Sequence, residues 1–297
     1  LGPNLTELQG GSYFEQQLSS TSGIPLPPQV EWTLLKWILF EMGAMTDQSS
    51  QDMFDDTSKS WARDEPRLLS DWTARPFLLQ WSTPVAEKRI LDLGCGEGYF
   101  TRQLARSSSE KARHLEGIDI SAGMIELAQA NEQQNSLEIT YSVGCATDFT
   151  PRLDSYDLIT AVFVYNYTTV EQMHQSMKRV YDHLAPDGHF IFSLPHPVNP
   201  FMDTGTDSFH FEKSGGWFSG RDQTFEGRMA QRDGSEVSVR CLHKTFQDVL
   251  DGLRTAGFTH FPDFRELAVT EKMIAEDEDF FGPLADLPLH MAFKVGK

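Results

Sequence analysis

Cysteine is scarce. Three residues, Cys95, Cys145 and Cys241, are scattered along 297 positions. No CxxC pair and no Cys/His spacing is present, so neither a disulfide framework nor a zinc site is expected, and no metal is assigned. Reduced thiols and a cytoplasmic location are the simplest expectation. Positive charge is also short: 25 Lys and Arg stand against 43 Asp and Glu, a net charge of -18. Such a surface repels phosphate backbones and anionic lipid, which argues against nucleic-acid or membrane-surface partners. Long apolar runs are missing too. "LLKWILF" (34–40) is short and carries Lys36, so it is neither a membrane span nor a secretory core segment. The opening "LGP" reads as a processing scar and stays outside the fold reasoning.

What is present is enough apolar residue, 39%, for one large α/β core, or for one core plus a small lobe. Residues 4–30 are rich in Gly, Ser, Gln and Pro and read as a flexible arm. Residues 29–43 follow helical spacing, with Gly43 as a terminator. Together these set off 1–47 as an N-terminal extension. Residues 48–81 read as short helices broken by Pro66 and Pro76.

From residue 89 the rhythm is strand, helix, strand, helix. Strands are expected at 89–93, 114–120, 137–144, 156–164 and 189–194, and helices at 99–108, 122–134 and 170–184. Ser121 is placed to cap the second helix, and Thr169 with Gln172 forms a capping box for the third. This alternation predicts an α/β fold: a doubly wound, mostly parallel sheet with helices on both faces. Residues 195–243 break the pattern and read as an inserted β-hairpin lobe or lid, 198–240, rich in Phe and Trp. Those rings either face a planar substrate or form the lobe's own core. Thr245 with Asp248 caps a last helix, with Phe246, Val249, Leu250 and Leu253 inward, before closing strands. "EDED" (276–279) reads as a solvated loop.

The chemistry concentrates in "RILDLGCGEGYF" (89–100), where Gly94, Gly96 and Gly98 follow an apolar strand ending near Asp92. Glycines at this density let a ligand lie against bare main chain. Dinucleotide folds use G-x-G-x-x-G; here the spacing is G-x-G-x-G, and Glu97 at the helix start opposes a pyrophosphate.

"LDLGCGEGYF" resembles the first motif of class I S-adenosylmethionine (SAM)-dependent methyltransferases, small-molecule branch. The resemblance covers about residues 48–195 and implies the seven-stranded Rossmann-like fold of that family. It implies SAM as cofactor, S-adenosylhomocysteine as product, and Gly94, Gly96 and Gly98 under the methionine and ribose. Asp119 in "GIDIS" matches the family's ribose-binding carboxylate; a carboxylate accepts both hydrogen bonds of a vicinal diol. Taken alone, Asp119 reads equally as a helix-capping residue.

By the same resemblance Ile120 and Met124 wall the adenine, Cys145, Ala146 and Thr147 meet its face and amine, and the Phe163 backbone meets the SAM amino group. Tyr165 and Asn166 face the methyl side. Phe54 and Trp61 match aromatics of the N-terminal lid, or are plain helix-face core residues. Arg75 is placed to pair with the SAM carboxylate.

His196, just past the fifth strand and held between Pro195 and Pro197, is the candidate base, with a structural histidine as the bland alternative. The implied function is methyl transfer to an O, N or C atom of a small molecule by a monomer or homodimer. The alternatives are a nicotinamide-dependent oxidoreductase and a catalytically inactive SAM-binding interaction module.

Overall fold

The computed structural model describes residues 51, 52, 54, 55, 61–206, 209–212 and 214–297. The expected arm and the helix over 29–43 lie outside the described residues.

Strands β1 (Arg89–Leu93), β2 (His114–Asp119), β3 (Ile139–Val143), β4 (Tyr156–Val162) and β5 (Leu184–Pro195) form the parallel part of a seven-stranded sheet. The order is β3-β2-β1-β4-β5-β10-β9, with β9 (Asp263–Leu267) and β10 (His290–Gly296) closing it; β10 runs antiparallel to both its neighbours. The chain winds outward from β1 to β3, then returns to β4 beside β1. That reversal opens a crevice at the carboxyl ends of β1 and β4.

Alternate residues of each strand serve opposite faces. Leu91, Leu93, Ile159 and Ala161 pack in one buried cluster, and Ile90, Leu158 and Val162 in another. The first is completed by Met173, Met177 and Val180 of α5 (Val170–His183) and by Val249 and Leu253 of α6 (Phe246–Ala256). The second is completed by Leu78 of α2 (Arg75–Ser82), Phe100 and Leu104 of α3 (Tyr99–Arg106), and Ile125 of α4 (Ala122–Gln134). The caps form as expected: Ser121 Oγ accepts from Met124 N, and the boxes at Thr169/Gln172 and Thr245/Asp248 are closed.

Several boundaries differ from expectation. Pro76 does not break a helix; it sits in the first turn of α2, after α1 (Leu69–Thr73), where its missing N–H has no partner to lose. Strand β5 begins at Leu184 and takes in the "PDG" turn, with a register shift between Tyr156 and Leu158 on its neighbour. Leu250 lies on the exposed side of α6 rather than inward. The acidic run is not a loop: Asp277 caps α8 (Glu278–Phe281), which follows α7 (Glu271–Glu276), and binds Arg232 Nε at 2.8 Å.

The inserted lobe is a three-stranded antiparallel sheet of β6 (Phe209–Glu212), β7 (Thr224–Ala230) and β8 (Glu236–Leu242). Phe209, Phe211, Phe225 and Cys241 pack with Leu69, Phe281, Leu284 and Leu289, so its core is shared with helices outside the lobe. Arg221 pairs with Asp248, and Asp222 Oδ1 accepts from Val170 N at 2.8 Å, which ties the lobe to α5 and α6.

Candidate active site

A cavity of about 170 Å³ lies at the carboxyl ends of β1 to β4. Its floor is the loop after β1. Gly94 and Gly96 hold φ of 67° and 57°, conformations that favour glycine. The Gly94 and Cys95 amides donate to Ile118 O at 2.7 and 3.0 Å, which folds the loop onto β2. A Cβ at Gly94 would stand 2.4 Å from Val164, whereas one at Gly96 would meet nothing within 4 Å. The main chain at Gly96 therefore faces the open cavity.

Gly98 behaves differently from its two neighbours. It is not on the cavity wall; at φ 86° it starts α3, and a Cβ there would meet the Tyr141 hydroxyl at 2.5 Å. Its role is packing, which corrects the reading of all three glycines as ligand-facing.

Asp119 closes the next side. Its Oδ2 accepts from Gly96 N at 2.8 Å and its Oδ1 from Ser121 N at 3.0 Å. A carboxylate oxygen accepts more than one hydrogen bond, and Asp119 stands on the cavity wall. Burial pushes its carboxyl above the usual range against the amides of Ser121, Gly96 and Ile120, with the Asp55 carboxylate adding to the rise. Asp92 is also buried and is pushed up to about 6 by burial, although Thr101 and Thr160 donate to it at 2.6 and 2.7 Å. Glu97 is raised by burial and held by Arg102 at 2.8 Å. Its buried Oε1 accepts no hydrogen bond but lies 3.6 Å from Arg63 Nη1 in an ion pair.

Two arginines complete the polar wall. Asp71 accepts from Arg63 Nε and Nη2 at 2.9 and 3.0 Å, and from Arg75 Nη1 at 2.9 Å. Burial alone would raise the Asp71 carboxyl; Arg75 and Arg63 overcome this and leave it lowered. Arg75 stands 5.3 Å from the centre of the Phe163 ring, whose residue holds φ of 60°.

Phe54, Trp61, Arg75, Asp92, Gly94, Gly96, Asp119, Ile120, Met124, Cys145, Ala146, Thr147 and Phe163 all line this one cavity. The donor set fits a SAM-like group. It offers bare main chain at Gly96, a carboxylate beside it at Asp119, and arginines for a carboxylate. The wall holds three acidic groups, which does not suit a pyrophosphate.

The acceptor-side expectations are corrected. Tyr165 is fully buried in the core, with its hydroxyl 3.1 Å from Ser176 Oγ. Asn166 points to the lobe, Nδ2 donating to Cys241 Sγ at 3.5 Å. A short 3-10 turn over Tyr165–Tyr167 rotates these two away and brings Tyr167 and Thr168 to the wall instead. His196 is buried against Glu266, Nε2 to Oε1 at 2.9 Å, and lines a separate small cavity with Asn166, His243 and Lys244. Burial lowers its pKa against the pull of Glu266. Among the described residues none of the lobe lines the main cavity: three of its six aromatics are core, Trp217 packs on Phe201 and His243, and Phe218 is exposed.

Sequence reasoning missed Tyr167 and Thr168, the two residues directly after those chosen. It also missed Arg63, two residues beyond Trp61.

Residues 90–188 match the family model described as methyltransferase domain. The chain is similar to a malonyl-[acyl-carrier protein] O-methyltransferase of Bacillus cereus, 27% identical over 187 residues, covering 59% of this chain and 66% of that one. It is similar to a ubiquinone biosynthesis O-methyltransferase of Actinobacillus pleuropneumoniae, 26% identical over 157 residues, covering 50% and 64%. The chain thus spans just under two thirds of the length of these curated relatives. Among solved structures, a SAM-dependent methyltransferase from Mesorhizobium loti superposes with a TM-score of 0.55 at 21% identity, covering 75% of this chain and 96% of that one. Among the described residues no helix is long and apolar enough to cross a membrane.

Proposed function

We propose that this chain, which carries a methyltransferase domain over residues 90–188, transfers a methyl group from SAM to a small-molecule acceptor. The observation that carries the reading is the joining of Gly96 and Asp119: bare main chain and a carboxylate meet at 2.8 Å on the wall of one cavity at the sheet's switch point. Bound there, SAM supplies a methyl group on a positively charged sulfur, a good leaving group.

The chain's own residues hold and shield. Asp119 grips the sugar hydroxyls, and Ile120 and Met124 pack on the base with Cys145, Ala146 and Thr147 at its edge. Arg75, anchored by Asp71, is placed for the carboxylate. Phe54, Trp61 and Tyr167 exclude water from the remaining end, which leaves alignment as the chief contribution to rate. The relatives named as O-methyltransferases support an oxygen acceptor. Calorimetric titration with SAM, S-adenosylhomocysteine and NAD tests the reading. Saturable binding of the first two and not of NAD is expected; the reverse pattern sinks it.

A further inference from the structure

The lobe stays out of the cavity, yet its chain holds part of the wall. Hydrogen bonds reach from it and from the residue pair after β8 to the stretch that follows β4. Asn166 Nδ2 donates to Cys241 Sγ at 3.5 Å, Thr168 O accepts from Lys244 Nζ, and Val170 N donates to Asp222 Oδ1 at 2.8 Å. Tyr167 and Thr168, which line the cavity, lie within this laced stretch.

Lys244 is the costly member of the set. It is 5% exposed. Among the described residues its ammonium forms no ion pair; it donates to Thr168 O and, at 3.4 Å, to Leu242 O. The carboxylates that act on its charge, Asp222 and Asp248, are bound to Val170 N and to Arg221 and Thr245. Burial pulls its pKa down to about 8 against the attraction of Asp222, Cys241 and Asp248. Burying an ammonium on main-chain carbonyls costs stability, and a methionine of nearly the same length would fill the space without that cost. What the charge supplies is a strong donor to a carbonyl in the cavity wall.

We infer that Lys244 is a positioning residue: it fixes the Thr168 carbonyl from outside and so sets the wall that Tyr167 and Thr168 present to the amino-acid end of the cofactor. The inference rests on the SAM-binding reading and deepens it. The sheet order says why it is that end. The loops run β3, β2, β1, β4 across the crevice. A nucleoside with its sugar on Asp119 at β2 and its base toward residues 145–147 after β3 places its other end past Gly96, over the loop after β4. Lys244 is not itself on the cavity wall, so its effect on a ligand passes through Thr168.

The test is calorimetry, direct for S-adenosylhomocysteine and by displacement for 5′-methylthioadenosine, which keeps base, sugar and sulfur and lacks the amino-acid end. Lys244→Met, which keeps the length and removes the donor, should weaken S-adenosylhomocysteine roughly two- to tenfold and leave 5′-methylthioadenosine unchanged. Lys244→Gln, which keeps an N–H donor, should recover part of the loss. Asp222→Gly removes the neighbouring anchor at a residue whose φ of 59° suits glycine; it should show the same selective loss and serves if Lys244→Met does not fold. Equal losses for both ligands, an unchanged affinity for S-adenosylhomocysteine, or a Gln variant no better than Met each overturn the positioning role and leave the SAM reading intact. Wild type that binds neither ligand overturns both.

Discussion

The Gly96 amide donates to Asp119 Oδ2 at 2.8 Å, so the carboxylate placed to hold the sugar also fixes the glycine loop on which the ligand lies. Asp119→Ala should therefore remove a ligand contact and slacken the loop together. Loss of charge-assisted hydrogen bonds of about 1.5–3 kcal/mol predicts a roughly ten- to hundred-fold weaker SAM affinity. Calorimetry checks this; an unchanged dissociation constant removes Asp119 from the site.

Gly96 and Gly98 should separate binding from packing. A methyl at Gly96 enters open cavity, so Gly96→Ala should block the ligand, at a stability cost of about 1–2 kcal/mol for its positive φ. A methyl at Gly98 strikes Tyr141, so Gly98→Ala should lower the urea midpoint further than Gly96→Ala. Equal midpoints would contradict this division of roles.

Asp92 makes stability depend on pH in an unusual direction for a carboxylate. Its folded pKa of about 6 lies above the 3.8 of the free side chain, so the folded state binds the proton more tightly. Its contribution is full below about pH 3.8 and is lost as pH rises through about 6, a loss of roughly 3 kcal/mol. Asp92→Asn removes this titration. The stability difference between Asn variant and wild type, followed by urea unfolding, should grow in the variant's favour from pH 4 to pH 7. A flat difference would refute it.

His290 is buried on β10 with neither ring nitrogen hydrogen-bonded, edge-on to Phe163 at 5.0 Å. Burial, with Arg75 and His196 nearby, lowers its pKa to about 3. The folded state thus keeps it neutral, and the associated stability, present above pH 6.5, is lost as pH falls from there toward 3. His290→Leu should raise neutral-pH stability by about 1 kcal/mol, by removing unsatisfied polar atoms, and should blunt the acid loss. A melting temperature that falls at both pH 7 and pH 5 would count against it.

The lobe should prove inseparable from the domain. Phe225 packs with Leu69, Phe281 and Leu289, so Phe225→Ala opens a cavity shared with residues outside the lobe. A loss of about 3–5 kcal/mol is expected, with one cooperative transition by fluorescence and circular dichroism alike. Two separated transitions would make the lobe an independent unit.

The elements of the fold were legible because their causes are local. Ser121 caps a helix three residues on, Thr169 and Gln172 close a box within one turn, and a run such as Ile90, Leu91 and Leu93 is buried on both faces of a sheet. Gly94, Gly96 and Asp119 were legible for the same reason: a strand end, a turn and a helix start fix where those backbones point. Leu250 and the acidic run at 276–279 misled because exposure and capping there depend on what packs alongside.

Past the end of β4 the sequence alone no longer determined direction. Tyr165, Asn166 and Tyr167 are adjacent and all polar, yet one enters the core, one meets Cys241 and one faces the cavity. A single 3-10 turn makes that choice, and the contacts that hold it come from α5 and β8, many residues away. His196 likewise turns to Glu266, 70 positions on, and not to the ligand edge. Which residues form strands, helices and the glycine turn was written in neighbours along the chain. Which side chains look into the cavity was decided only when distant elements packed, because rotation about a turn is set by what fills the space on either side of it.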